Sequence, residues 1–106
     1  MEKVLIDLFI VPEAVKADFM RQAERVQQFI STLPGFIEGY IYIQSPETSE
    51  SRYNVLTTAV WESEEAIENA KAALIRQYQT MGFNPQEALA RLGVEKVRAT
   101  YSRAPY

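Results

Sequence analysis

Asp7 sits inside "VLIDLFIV", a carboxylate with apolar residues on both sides. Burying a carboxylate is costly unless it is paired, and burial raises its affinity for a proton. Two readings follow. An unpaired Asp7 suits a general base. An Asp7 paired with Arg98 or Arg52, or set at a solvated sheet edge, is a structural charge. Trp61, the chain's only tryptophan, closes the run "RYNVLTTAVW". It either plugs the core where strand meets helix or forms a wall on which a flat ligand stacks. Thr57 shares the face of Trp61, and its hydroxyl can donate to a ligand oxygen or satisfy local backbone. Tyr78 falls on the inward side of a helical run, as pocket lining or as core. Tyr40 and Tyr42 share one face of a strand, where a phenol either serves an oxyanion or packs in an interface. The acidic run Glu62 to Glu65 reads as helix-start chemistry, with Ser63 as cap.

Two zeros in the composition narrow the chemistry. The chain has no histidine and no cysteine. Disulfides, thiol nucleophiles, Ser-His-Asp and Cys-His catalysis, and Cys or His metal sites are all excluded. A proximal histidine for haem is excluded as well. Acidic residues show no calcium-loop spacing. The 106 residues and 47% hydrophobic content suit one globular domain spanning residues 1–106. The net charge of −3, with basic residues scattered, predicts no nucleic-acid partner. No apolar run is long enough for a bilayer, and "MEKVLIDLFIVPE" makes a poor signal peptide, so a cytoplasmic protein without membrane partners is expected.

The elements that must position these residues follow from periodicity. Alternation predicts a strand over 2–11, with Leu5, Asp7, Phe9 and Val11 on one face and Val4, Ile6, Leu8 and Ile10 on the other. A stripe of Val15, Phe19, Ala23, Val26 and Ile30 predicts a helix over 13–31. Leu33-Pro34-Gly35 ends it. Residues 36–44 and 52–61 read as strands joined by the polar loop 45–51, an antiparallel hairpin. A helix from Ser63 carries Ala66, Ile67, Ala70, Leu74 and Tyr78 on one face and ends near Gly82. Asn84-Pro85 opens a short helix that closes at Gly93. Residues 94–101 form the last strand.

The order β-α-β-β-α-(α)-β is the split βαβ pattern: an α+β, ferredoxin-like fold with a four-stranded antiparallel sheet and helices on one face. The first three strands are apolar on both faces, so the uncovered face predicts a homodimer joined through the sheet.

"LPGFIEGYIY" followed by "YNVLTTAVWESEEAIENAKAAL" resembles the antibiotic biosynthesis monooxygenase (ABM) family, a branch of the dimeric α+β barrel superfamily. The likeness covers nearly the whole chain. Its most specific parts are Pro34-Gly35-Phe36 and the segment from Val60 to Ala66. It implies a pocket between sheet and helices, walled by the tryptophan that matches Trp61. It implies no metal or organic cofactor: a small electron-rich aromatic is deprotonated, and its anion reduces O2 directly. On that reading Asp7 and Trp61 are the catalytic candidates, and Phe9, Thr57 and Tyr78 line the substrate site. The haem-degrading branch uses a first-strand asparagine, near which Asp7 stands, and a histidine, where Lys71 and its neighbours stand. Haem degradation is therefore not expected. The alternative is a dimeric ligand-binding or stress-related module without turnover.

Overall fold

The computed structural model describes residues 1–106. Its elements run β1 (Lys3–Ile10), α1 (Lys16–Ile30), β2 (Phe36–Ile43), β3 (Val55–Trp61), α2 (Glu64–Met81), α3 (Pro85–Leu92) and β4 (Glu95–Tyr101). Short 3-10 turns at Glu13–Val15 and Pro46–Thr48 precede α1 and occupy the β2–β3 loop. The four strands form one antiparallel sheet in the order β2-β3-β1-β4. This is the ferredoxin-like α+β fold, as the sequence pattern predicts. The chain is a slab of 42 × 37 × 18 Å, two layers thick.

Local chemistry sets the element ends. Ser63 accepts a hydrogen bond from the Ala66 N–H at 3.1 Å and caps α2. Asn84 does the same for α3, accepting from Gln86 and Glu87 at 3.0 and 3.1 Å. Gly82 and Gly93 end these helices in the left-handed conformation. Two boundaries differ from the sequence expectation. The first helical turn after Pro12 is 3-10 rather than α. β3 starts at Val55 rather than Arg52, although the Asn54 backbone still bonds to both neighbours, its N–H donating to the Phe9 C=O at 2.9 Å and its C=O accepting from the Gln44 N–H at 3.0 Å. The Asn54 side chain accepts from the Val11 N–H and donates to the Val11 C=O, both at 2.8 Å, which ties β3 to the end of β1.

Register decides which residues meet. Ile41, Thr57, Asp7 and Arg98 lie opposite one another, one from each strand, across the helix-facing side of the sheet. This row is polar at its centre. Apolar residues gather on either side of it. One cluster holds Phe9, Val11, Phe19, Val55 and Val94, with Phe9 and Phe19 edge to face at 4.8 Å. The other holds Ala59, Trp61, Ala66, Ile67 and Ala70, with Phe36 edge to face on Trp61 at 5.3 Å. The core is thus split in two, and a cavity of about 590 Å³ opens between sheet and helices.

A bulge between Phe36 and Glu38 shifts the register of β2, bringing Phe36 opposite Trp61 and Gly39 opposite Ala59. Gly35, just before it, brings the chain against α2. A Cβ there would stand 2.5 Å from the Ala66 Cβ, and its φ is +87°. Gly82 has a similar φ of +65° but open space around it. Gly35→Ala should therefore lose about 2–4 kcal/mol, combining left-handed strain with overpacking. Gly82→Ala should lose only ~1–2 kcal/mol, from strain alone. Equal losses in urea unfolding would refute this account of the α2 packing.

Candidate active site

The sheet side of the cavity is built by alternation. On β1, Leu5, Asp7 and Phe9 face it; on β3, Thr57, Ala59 and Trp61 do; on β4, Lys96 and Arg98 do. The helix side is α1 through Ala23, Val26 and Ile30, and α2 through Ala70, Leu74 and Tyr78. These are the apolar stripes that the 3.6-residue period places inward. α3 closes one end with Pro85, Gln86 and Leu89. Small residues make the room: Ala23, Ala59 and Ala70 present only a methyl group to the cavity. At Gly39, the chain leaves space for the Gln27 amide, which reaches over β2 to the Thr58 carbonyl at 3.4 Å.

All five sequence-expected residues, Asp7, Phe9, Thr57, Trp61 and Tyr78, line this one cavity. Tyr40 and Tyr42 do not. They lie on the opposite, uncovered face, both about half exposed, with ring centroids 6.1 Å apart. Asn54 is likewise occupied in the backbone latch. Arg52 is drawn to Glu95 at 3.5 Å, at the exposed rim.

Asp7 is the only buried charged residue, 9% exposed. Arg98, opposite it on β4, meets it with two hydrogen bonds. Its Nε donates to Oδ1 at 2.7 Å and its terminal nitrogen to Oδ2 at 3.0 Å. This fork-to-fork geometry is the strong form of the ion pair. Of the partners expected for Asp7, Arg98 is the one found. The bond to Asp7 holds the guanidinium above its ordinary pKa, against the opposing effect of burial.

Lys96 is the residue that sequence reasoning overlooked. The alternation of "EKVRATY" places Lys96, Arg98 and Thr100 on one face, opposite Phe9, Asp7 and Leu5 of β1. That signal was readable once β4 was paired with β1. Lys96 is exposed as a residue, yet its ammonium loses enough water at the cavity to lower its pKa. The Arg98 charge lowers it further, and Asp7 pulls the other way. Tyr78 shifts upward, first through burial, with Arg98 opposing. Its ring packs edge to face on Phe83 at 5.2 Å. Trp61 is 2% exposed. Its indole N–H, a donor only, is buried without a hydrogen-bond partner. Such a donor costs about 1–3 kcal/mol while unpaired, and the side chains packed around it seal it from solvent.

No family model matches the chain, and no curated protein matches it by sequence. Solved structures do match in fold. A candidate monooxygenase from Shewanella loihica is 20% identical, with a TM-score of 0.75 over 99% of this chain and 96% of that one. SnoaB, a cofactor-independent oxygenase from Streptomyces nogalater, is 18% identical, with a TM-score of 0.71 over 99% and 95%. A candidate antibiotic biosynthesis monooxygenase from Deinococcus radiodurans is 16% identical, with a TM-score of 0.73 over 100% and 95%. At these identities the likeness is one of fold, and the fold is ABM-like. No helix is long and apolar enough to cross a membrane.

The two shifted groups act on stability with opposite sign. Tyr78 keeps its proton above 10.0, where an unfolded tyrosine loses it, so stability falls as pH rises through that window. Lys96 releases its proton below 10.5, where an unfolded lysine still holds it, so stability rises with pH approaching 10.5. Lys96→Met should therefore stabilise the fold at neutral pH, by less than ~1 kcal/mol because water screens the group. That gain should shrink toward pH 10.5, and Tyr78→Phe should reduce the loss above pH 10. Urea unfolding at a series of pH values tests both; a Lys96→Met effect that grows with pH would contradict the assignment.

Proposed function

We propose that the chain is a cofactor-independent monooxygenase or quinol oxidase for a small electron-rich aromatic, working as a homodimer. The observation that carries this reading is the cavity. It has apolar walls that include the Trp61 indole, and polar groups along one row of the sheet. A few convergent polar groups in an apolar pocket of this size are the usual form of a small-molecule site. Similarity in fold to a cofactor-independent oxygenase adds support.

In this mechanism the aromatic ring lies against Trp61 and Phe9. Asp7 accepts the phenol proton, and Arg98 positions its carboxylate. The resulting anion gains from the Thr57 hydroxyl and the cationic side of the cavity, groups fixed before the charge develops. It then transfers electrons to O2. For a monooxygenase, a ring CH2 and O2 give a carbonyl and water; for a quinol oxidase, quinol and O2 give quinone and hydrogen peroxide.

A second reading is a dimeric module that binds an aromatic without turning it over. The bidentate Arg98 contact favours it, because both Asp7 oxygens already accept hydrogen bonds. Oxygen uptake with a panel of quinols, anthrones and hydroxylated naphthalenes separates the two. Catalysis predicts turnover that falls about 100-fold or more in Asp7→Asn, the usual contribution of a positioned acid or base. It also predicts a clear loss in Trp61→Phe. Calorimetric binding without any oxygen uptake would favour the module and defeat the enzyme reading.

Dimerisation is inferred from the uncovered face. Val4, Ile6, Leu8 and Ile10 of β1, Leu56 and Val60 of β3, Val97 of β4 and the two tyrosines of β2 make it a broad apolar surface. Soluble monomers rarely leave such a surface open. Pairing two copies about a two-fold axis covers it with a self-complementary patch. Light scattering should give about twice 12.1 kDa. Leu8→Glu, at the centre of the face, should give a monomer or an aggregate; an unchanged dimer would move the interface elsewhere.

A further inference from the structure

The chain carries a net charge of −3, yet its cavity has the opposite sign. Of the 14 acidic residues only Asp7 lines the cavity, whereas Arg25, Lys71, Lys96 and Arg98 represent the 11 basic ones. Asp7 is matched by Arg98. Lys71 reaches Glu68 at 3.4 Å on the outside of α2. Neither Arg25 nor Lys96 has an ion pair within the chain. At the β4 side, therefore, two cations share a single carboxylate. An excess positive charge beside apolar walls is unfavourable, and a neutral ligand would leave it uncompensated.

We propose that the cavity's ligand is an aromatic anion, its negative oxygen set against Lys96 and Arg98 and its ring directed toward Trp61. The proposal rests on the cavity being a ligand site, as above, and narrows what that site takes. A carboxylate and an ionised phenol both present a negative oxygen; the first leaves a separate phenol proton for Asp7, and the second would enter without it and leave Asp7 only the task of positioning Arg98. Such an oxygen gives Lys96 an ion-pair partner in the cavity and offsets the loss of water and the Arg98 charge that together depress its pKa. The volume of about 590 Å³ accommodates a fused-ring aromatic. The charge also explains selection: the acidic exterior disfavours anions in general, so only one with enough apolar surface to enter is retained.

Calorimetric titration of the whole chain tests this with three probes: 2-naphthoate, 2,4-dinitro-1-naphtholate and the neutral 2-naphthamide. At least one anion should bind about tenfold more tightly than the amide, roughly the strength of one charge-assisted hydrogen bond. The stronger anion identifies carboxylate or phenolate as the natural group. In Lys96→Met that preference should fall by about the same factor while amide binding stays the same, which also shows that the variant is folded. Amide binding as tight as the anions would overturn the anion proposal and leave the ligand site standing. Anion preference unchanged in Lys96→Met would overturn the Lys96 assignment. Failure of all three probes would count against the ligand site itself.

Discussion

The bidentate contact between Asp7 and Arg98 is the interaction on which the rest of the molecule turns. A carboxylate in the middle of a central strand cannot be covered by apolar helix faces without a partner. β4 supplies that partner at the directly opposing register position. The pair binds an exposed edge strand to the centre of the sheet. It also places charge in the middle of a surface that would otherwise be continuous core. The helices pack on the sheet around Phe9 and around Trp61, and the cavity between the layers is lined by the polar row together with residues of both clusters.

This links fold and site through one constraint. Replacing the polar row by aliphatic residues would favour closure of the two clusters into a single core, with a gain in stability and loss of the cavity. Buried ion pairs are often poorer stabilisers than well-packed hydrophobic residues. The arrangement makes sense as a site held open at some cost to packing. Only 12 of 106 residues are buried, few for a chain that must hold a sheet with two apolar faces. Much of the remaining apolar surface stays at least partly exposed in the single chain, including Ile37, Tyr40, Tyr42, Ile43 and Val97.

Element types were legible because periodicity and caps agree: alternation in β1 and β4, the stripe in α1 and α2, Ser63 and Asn84 at helix starts. Both faces of β1 could be assigned, which set Asp7 on one face with Leu5, Phe9 and Val11. What was not legible depended on pairing across the sheet. Arg52 and Arg98 are equally plausible partners in one dimension; only register gives Arg98 to Asp7 and Arg52 to Glu95. Lys96 was missed for the same reason, since its importance comes from the strand beside it. Asn54 shows a different limit. Nothing local in the sequence reveals that both ends of its amide close on the backbone of Val11.

Trp61 illustrates why the same residue supports two readings in a sequence and only one arrangement in space. As a core plug it would bury its ring and find a partner for its N–H. It buries its ring against Phe36 and the alanines of α2, yet its N–H remains unmatched. A donor left so in a packed core is rare and costly. The surrounding side chains seal it from the cavity, so it is a cost carried by the core and not a group offered to a ligand. Among the acceptors that line the cavity, the Asp7 carboxylate is engaged by Arg98, while Gln22, Gln27 and Gln86 supply amide oxygens. What would single out a ligand, on the reading proposed above, is charge: Lys96 and Arg98 face one carboxylate, and a flat molecule carrying negatively charged oxygen would balance them.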